Sequence, residues 1–310
     1  MHVKKEAITD PSKGKKPEDR TTEELLNKGI LIIDKPPGPT SHQTVDYLKK
    51  ILGIKKAGHT GTLDPGVTGV LPIALNKATR ITHSLLTAGK EYVCLMHLHK
   101  DINNEDLNKV LEKFKGEIEQ LPPKKSAVKR RLRKRNIYSF EVLERKEKDV
   151  LIRVGCEAGT YIRKLVHDIG LQANTGAHMS ELRRTKAGPF TEDRALTLHE
   201  VSDYYHFYKE GKNDELRKHL IPIEEGVSHL KKIIIHDSAI PSLCQGAYLK
   251  VPGILELSQD IKKDDLVAVF SLKNELVLVG IALMNSEELI NNEKGIAVKT
   301  SQVFMEPGIY

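Results

Sequence analysis

The sequence predicts an α/β (α+β) chain in two parts, a larger domain of mixed strands and helices followed by a small all-β barrel. Three observations carry this. At 310 residues there is chain for about two domains, at roughly 150 residues each. Up to about residue 230, short apolar runs alternate with segments of helical period. Beyond it, runs such as KKIIIHD, DDLVAVFS and LVLVGIALM are separated by Gly, Pro and Asn turns, the pattern of a small barrel. The expected division is 1–28, an N-terminal extension; 29–229, the larger domain; and 230–310, the barrel, with the cut near 228–232.

Residues 1–28 hold seven basic and six acidic side chains and few large apolar ones, so alone they would be disordered. GILIIDK then reads as a strand ending in a Pro-Gly loop. Thr40 and Gln43 form a capping box for a helix with Val45, Leu48 and Leu52 on one face, stopping at Gly53. AGHTGTLDPGVTG is too rich in Gly, Thr and Pro for regular structure. VLPIAL follows as a strand, then a helix around Ala78–Leu86, a strand around Tyr92–Leu98 and a helix over 104–115. IYSFEVLERK and DVLIRVGCEA form a hairpin turning near Lys148 and Asp149. Gly159 and Thr160 break that strand and cap a helix whose apolar face is Ile162, Val166 and Ile169. Weaker helices fill 197–230.

Composition excludes several classes. No run of about 18 apolar residues and no N-terminal signal stretch is present, so a soluble, intracellular protein is expected. Cys94, Cys156 and Cys244 are scattered and flanked by apolar residues, the setting of small buried hydrophobes. His97-x-His99 is half of a metal site at most, and no second cluster completes four ligands, so no metal is expected. No GxGxxG or P-loop is found, and no redox cofactor or nucleotide is called for. The net charge of +7 is concentrated: eight of the twelve residues Lys124–Arg135 are basic, and without them 41 basic residues face 42 acids. Such a block suits a phosphate backbone, and Lys124, Lys125, Lys129, Arg130, Arg131 and Arg133 are its candidate RNA contacts.

The chemistry concentrates in AGHTGTLDPGVTGVLP (57–72). Asp64 is its single carboxylate, Pro65 fixes the chain after it, and the glycines let a ligand approach the backbone. Only His59 and Asp64 titrate there. An isolated Asp-Pro-Gly would be a turn whose carboxylate caps backbone amides; its surroundings change that reading. With DKPPGPTSH (34–42), GHTGTLDPGVTGVLP (58–72), KEYV (90–93), GTYIRKLVHDIG (159–170) and ELRRTKAGPF (181–190), the chain resembles the pseudouridine synthases that include dyskerin and the bacterial T-loop tRNA enzyme. The resemblance runs from about Gly29 to Phe190 and continues into the C-terminal module, where QGAYLKVPGI, DDLVAVFS and LVGIALM resemble a PUA domain.

It implies a catalytic domain on a mixed, mainly antiparallel sheet with a central cleft, and residue roles. Asp64 is the nucleophile, and His59 handles the flipped nucleotide. Tyr92 stacks on the target base, and Tyr161 lines the pocket. Arg163 pairs with Asp64 in a dry site, Leu182 closes the apolar wall, and Lys35 and Pro36 buttress the catalytic loop. The base must leave the stack to turn, the tyrosines replace lost stacking, and a guanidinium keeps the carboxylate ionised.

PPKKSAVK runs directly through RRLRKRNIYS into the next strand, leaving no room for the bacterial enzyme's extra tRNA-gripping loop. That departure resembles the archaeal dyskerin-type enzyme. The implied partners are an H/ACA guide RNA, rRNA and tRNA substrates and small accessory proteins of that ribonucleoprotein, with the chain a monomer within the particle. The absence of a Lys-rich tail after Tyr310 points the same way. The PUA-like stretch 231–310 holds eight basic and ten acidic residues, so contact there relies on local patches or shape. By the same resemblance, the N-terminal extension packs on this domain. A non-catalytic RNA scaffold is the alternative reading. Asp64, Tyr92 and Arg163 together speak against it.

Overall fold

A computed structural model describes residues 1–122, 131–212 and 214–310. The chain forms two compact units, one of residues 31–73 and 83–213, the other of 1–30, 74–82 and 214–310. Residues 214–230 and the short piece 74–82 go with the C-terminal unit, because compactness follows contacts made in space, not changes of sequence style.

The first unit is a sheet with helices. In order come β1 (Gly29–Lys35), α1 (Ser41–Leu52), β2 (Thr68–Leu75), β3 (Lys90–Leu98), α2 (Asn104–Glu112), β4 (Gly116–Gln120), β5 (Arg133–Lys146), β6 (Asp149–Cys156), α3 (Ile162–Gln172), β7 (Ala177–Ala187) and α4 (Leu198–Lys209). The strands lie in the order β1-β2-β7-β3-β6-β5-β4. β7 pairs with β3 antiparallel and meets β2 in parallel at Thr68↔Arg183 and Gly69↔Arg184. The sheet is mixed and mainly antiparallel, as expected.

Local chemistry explains the boundaries. The Thr40 side chain accepts from the Gln43 amide and the Gln43 side chain accepts from the Thr40 amide, a full capping box. At the far end of α1, Gly53 takes φ 62°, the left-handed stop that glycine fills without strain. α3 departs from expectation: Tyr161 is its N-cap, and the Thr160 hydroxyl donates back to the Glu157 carbonyl instead of capping. The expected helix at 78–86 is a 3₁₀ stretch, Asn76–Ile81, followed by a single turn, Thr82–Leu86. Within the glycine-rich segment Ala57–His59 forms a short strand pairing with β2. β4 and β7 are strands that alternation did not reveal, β7 because a charged residue, Arg184, occupies one of its inward positions.

The core beneath β3, β6 and α3 is apolar and includes Cys94, Met96, Val150, Ile152, Val154, Leu165, Val166 and Ile169. Cys94 and Cys156 are buried, whereas Cys244 is only half-buried. Burial of the thiols pushes Cys94 and Cys156 up to about 12, so both are inert packing groups.

In the second unit, seven strands form one sheet, in the order His2–Val3, Ile254–Leu257, Lys231–Ile235, Leu266–Phe270, Leu276–Ala282, Ile296–Val303 and Leu249–Lys250. The N-terminal extension, which alone would lack order, is tied in. His2–Val3 pairs with Glu256–Leu257. Asp237 Oδ2 accepts from the Thr9 hydroxyl and the Asp10 amide at 2.8 and 2.9 Å, and Arg20 makes a two-pronged pair with Glu224 at 2.8 Å. No helix among the described residues is long and apolar enough to cross a membrane.

Candidate active site

The loop 60–67 that carries Asp64 is held by two buried cations. Lys35, at the end of β1, is fully buried, and its Nζ donates to the carbonyls of Pro36, Pro65 and Val67 at 2.9, 3.1 and 2.9 Å. Burial pulls its ammonium below the ordinary lysine value, while the Asp64 charge pushes it back up. Pro36 itself is exposed. Arg184 on β7 is 1 % exposed; its Nε donates to the Val70 carbonyl at 2.8 Å and its Nη2 to the Gly61 carbonyl at 3.1 Å. Ser41 adds a reciprocal clasp on Leu63, donating to its carbonyl at 3.1 Å and accepting from its amide at 2.8 Å. A turn closed by the Val67 amide on the Asp64 carbonyl, at 3.0 Å, leaves the Asp64 side chain pointing outward.

That side chain meets Arg163, in the first turn of α3, with Nη2 to Oδ2 at 3.5 Å. The two are 99 residues apart in sequence. The expected dry setting is not built by the chain alone, because the Asp64 and Arg163 side chains are 68 % and 66 % exposed. Water reaches the pair, so at this exposure it is worth little as a stabilising contact. Arg163 lines a cavity of about 380 Å³ with Gly66, Val67, His167, His178 and Leu182, the size of ordinary ligand sites.

The remaining expected residues lie on neighbouring elements of the same unit. Tyr92 stands opposite Arg184 in the β3–β7 ladder, and Leu182 opposite Cys94, which puts Leu182 and Arg184 on one face of β7. Burial pushes the half-buried Tyr92 phenol above its ordinary value, and the Arg184 charge opposes this. Tyr161 is fixed through its backbone: its amide donates to Gln120 Oε1 at 3.0 Å and its carbonyl accepts from Gln120 Nε2 at 3.2 Å. His59 packs edge-on against His42, ring centroids 4.8 Å apart. Burial, then the charges of His42 and Arg184, lower its pKa, keeping the imidazole neutral at neutral pH.

The sequence reading missed Arg184, Gln120 and Lys90. Lys90 is buried and donates to the carbonyls of Leu85, Leu86 and Ala88 at 2.9, 3.3 and 2.5 Å; burial, with the Arg184 charge second, lowers it to about 8. One signal for Arg184 was present: it stands two positions beyond Leu182 on an alternating strand. Of the basic block, Lys124, Lys125, Lys129 and Arg130 lie outside the described residues, Arg131 is exposed and Arg133 is half-buried on β5. Lys134 and Arg135 are not free charge, since they pair with Glu117 at 2.7 Å and Glu157 at 3.5 Å. Among the described residues no three His, Cys, Asp or Glu side chains are placed to hold a metal ion.

A pinned loop presents one carboxylate to a guanidinium that lines a cavity of ligand size, the arrangement of a candidate active site. Comparisons with known proteins give the class and the family. Residues 49–162 match the TruB family pseudouridylate synthase N-terminal domain and 163–228 the tRNA pseudouridylate synthase B C-terminal domain. Residues 231–304 match a PUA domain and 1–45 a DKCLD domain. The probable tRNA pseudouridine synthase B of Methanopyrus kandleri is 53 % identical over all of this chain and 92 % of that protein. The Pyrococcus furiosus counterpart is 56 % identical over 96 % of this chain and 88 % of its own length. A solved Cbf5–Nop10–Gar1 complex contains a chain with TM-score 0.95 and 54 % identity, covering 98 % of this chain and 93 % of that one. A solved H/ACA ribonucleoprotein bound to a substrate RNA containing 2'-deoxyuridine gives TM-score 0.94 and 52 % identity over 100 % and 95 %. The chain belongs to the TruB family of pseudouridine synthases and is an RNA-modifying isomerase with a PUA domain.

Proposed function

We propose that the chain isomerises uridines in rRNA chosen by an H/ACA guide RNA, and the T-loop uridine of tRNA, with Asp64 as the attacking carboxylate. The observation that carries this is the Asp64–Arg163 contact, 3.5 Å across 99 residues, beside the cavity Arg163 lines. The everted uridine enters next to the pair. The Asp64 carboxylate bonds to the ribose as the bond from ribose to ring nitrogen breaks; the base turns, a ring carbon bonds to the ribose as the carboxylate leaves, and that ring carbon gives up its proton to water. Tyr92 and Tyr161 replace the stacking lost on eversion, Leu182 forms the apolar wall, and neutral His59 accepts or donates a hydrogen bond to the displaced nucleotide. Lys35 acts through the loop it holds, with Pro36 shaping its exit.

Relatives named for tRNA support the tRNA substrate, and the architecture shared with chains solved in H/ACA complexes supports the guide RNA and small protein partners. An archaeal, cytoplasmic setting belongs to the same reading. The exposed Arg131 and the neighbouring basic residues of 124–133 would meet RNA phosphates.

The test is tritium release from RNA labelled on the uracil ring, with and without guide RNA. Release in both settings is expected. Release from tRNA and never with a guide would remove the guide-directed half of the proposal. Asp64→Asn should abolish release while RNA binding stays within about tenfold, or 1.4 kcal/mol; a far larger loss of binding would make the carboxylate a structural group.

A further inference from the structure

Two separately built parts of the chain must meet for Asp64 to face Arg163. The Asp64 side is fixed by Lys35, Arg184 and Ser41, each bonded to the loop 60–67. The Arg163 side depends on how α3 leaves the turn 157–161, and the sequence at that turn does little to fix it. Tyr161, the N-cap, supplies no side-chain cap, and the Thr160 hydroxyl is turned back to the Glu157 carbonyl. The contact cannot hold itself together either, because an ion pair two-thirds exposed to water is worth little. Its geometry has to come from the scaffold.

Gln120 is placed to supply it. This last residue of β4 is 2 % exposed, and its side-chain amide meets both backbone polar groups of a residue 41 positions later. Oε1 accepts from the Tyr161 amide at 3.0 Å, and Nε2 donates to the Tyr161 carbonyl at 3.2 Å. That carbonyl also accepts from the Leu165 amide at 2.9 Å, the rung that opens α3. Gln120 therefore does for Tyr161 what a neighbouring strand would do, offering acceptor and donor side by side. Its base is firm, since β4 pairs with β5 residue by residue from Gly116↔Ile137 to Gln120↔Arg133. A buried amide that lost these bonds would be costly, which fixes its orientation. Arg135 on β5 holds the start of the same turn, with Nη1 3.5 Å from Glu157 Oε1, and Gln120 holds its end.

We propose that Gln120 is a positioning residue for the isomerisation: by gripping Tyr161 it sets the first turn of α3 so that Arg163 stays on Asp64. This rests on the roles given to Asp64 and Arg163 above. Arg163 follows Tyr161 by two residues, and the 3.5 Å contact lies at the outer limit of a hydrogen bond. A small tilt of that turn breaks it, and water then takes both ends. Gln120 is not among the residues that line the cavity, so it acts through the backbone it holds.

The experiment is steady-state tritium release by the full chain, in whichever setting, with or without guide RNA, gives release. Gln120→Met removes both bonds, and kcat should fall about tenfold or more, since a misplacement of about 1 Å can cost roughly a hundredfold. KM should stay within about twofold. The near-isosteric Gln120→Glu keeps the acceptor and loses the donor, so it should lose turnover too, and it covers a Gln120→Met protein that fails to fold. In an Arg163→Met background, whose slow release is followed for longer, Gln120→Met should cost less than about twofold, because residues acting as a unit do not add. Val150→Ala, a buried change at the far end of β6, should lower the Tm and leave kcat as it was. Additive losses, a rise in KM with kcat kept, or an equal fall in kcat for Val150→Ala would overturn the proposal. Full activity of Arg163→Met would remove the functional reading along with it. Loss there with Gln120→Met unchanged would overturn this proposal and leave that reading standing.

Discussion

Lys35, Lys90 and Arg184 are three buried cations whose hydrogen bonds go to backbone carbonyls, and each immobilises a bend near the reaction centre. Removing Lys35 takes the donor from the carbonyls of Pro36 and Val67, while the Pro65 carbonyl keeps the Gly38 amide. Lys35→Met should cost about 2–4 kcal/mol by urea unfolding and lower kcat more than it changes KM, since the loop and not RNA affinity is disturbed. Lys90 gives a pH signature. Its pKa is about 8 in the folded chain and 10.5 as the ordinary value, so between those limits the unfolded chain holds a proton that the folded chain lacks. Stability then rises with pH through that window, approaching about 3 kcal/mol in total, and nothing is gained below pH 8. Lys90→Met should lack the rise when the unfolding free energies of the two proteins are compared at pH 8 and pH 10. His59 shows the same sign lower down. Its folded pKa lies below 6.5, so its contribution is complete above 6.5 and is lost as pH falls through the folded value.

The elements that could be read in the sequence are those whose cause is local. The Thr40–Gln43 capping box, the Gly53 stop and the β5–β6 hairpin each follow from residues a few positions apart. Thr40→Ala should cost about 1 kcal/mol, measured by thermal unfolding. β7 was not legible as a strand. Its inward-facing Arg184 is paid for by the carbonyls of Val70 and Gly61, more than a hundred residues earlier in the chain. Gly69, at φ +101°, shows how closely β2 and β7 approach: a Cβ there would lie 2.2 Å from the Arg184 carbonyl oxygen. Gly69→Ala should therefore be severely destabilising, by more than about 3 kcal/mol. Survival of the variant with its Tm intact would show that the two strands can part without cost. Asp64 and Arg163, likewise, were joined only through the family resemblance, since nothing local links positions 99 residues apart.

At the level of the whole chain, the N-terminal extension changes from a segment of near-balanced charge into part of a folded unit. Besides its strand pairing, Lys4 Nζ donates to the carbonyls of Leu289 and Asn292 at 2.5 and 2.6 Å, closing the end of the helix Ser286–Asn291. Deleting residues 1–20 should lower the Tm of that unit by roughly 10 °C, followed by differential scanning calorimetry. An unchanged transition would mean that the extension merely rests on the surface.

The two-thirds exposure of Asp64 and Arg163 has a consequence for fidelity. A reactive acid that waits in open water gains its full strength only after something drier than water is laid over it, and under the proposed function that cover is the polynucleotide itself. On that reading a poorly fitting transcript would leave a leaking roof and a sluggish acid, and selection among uridines would be made by the quality of the seal before any bond is broken.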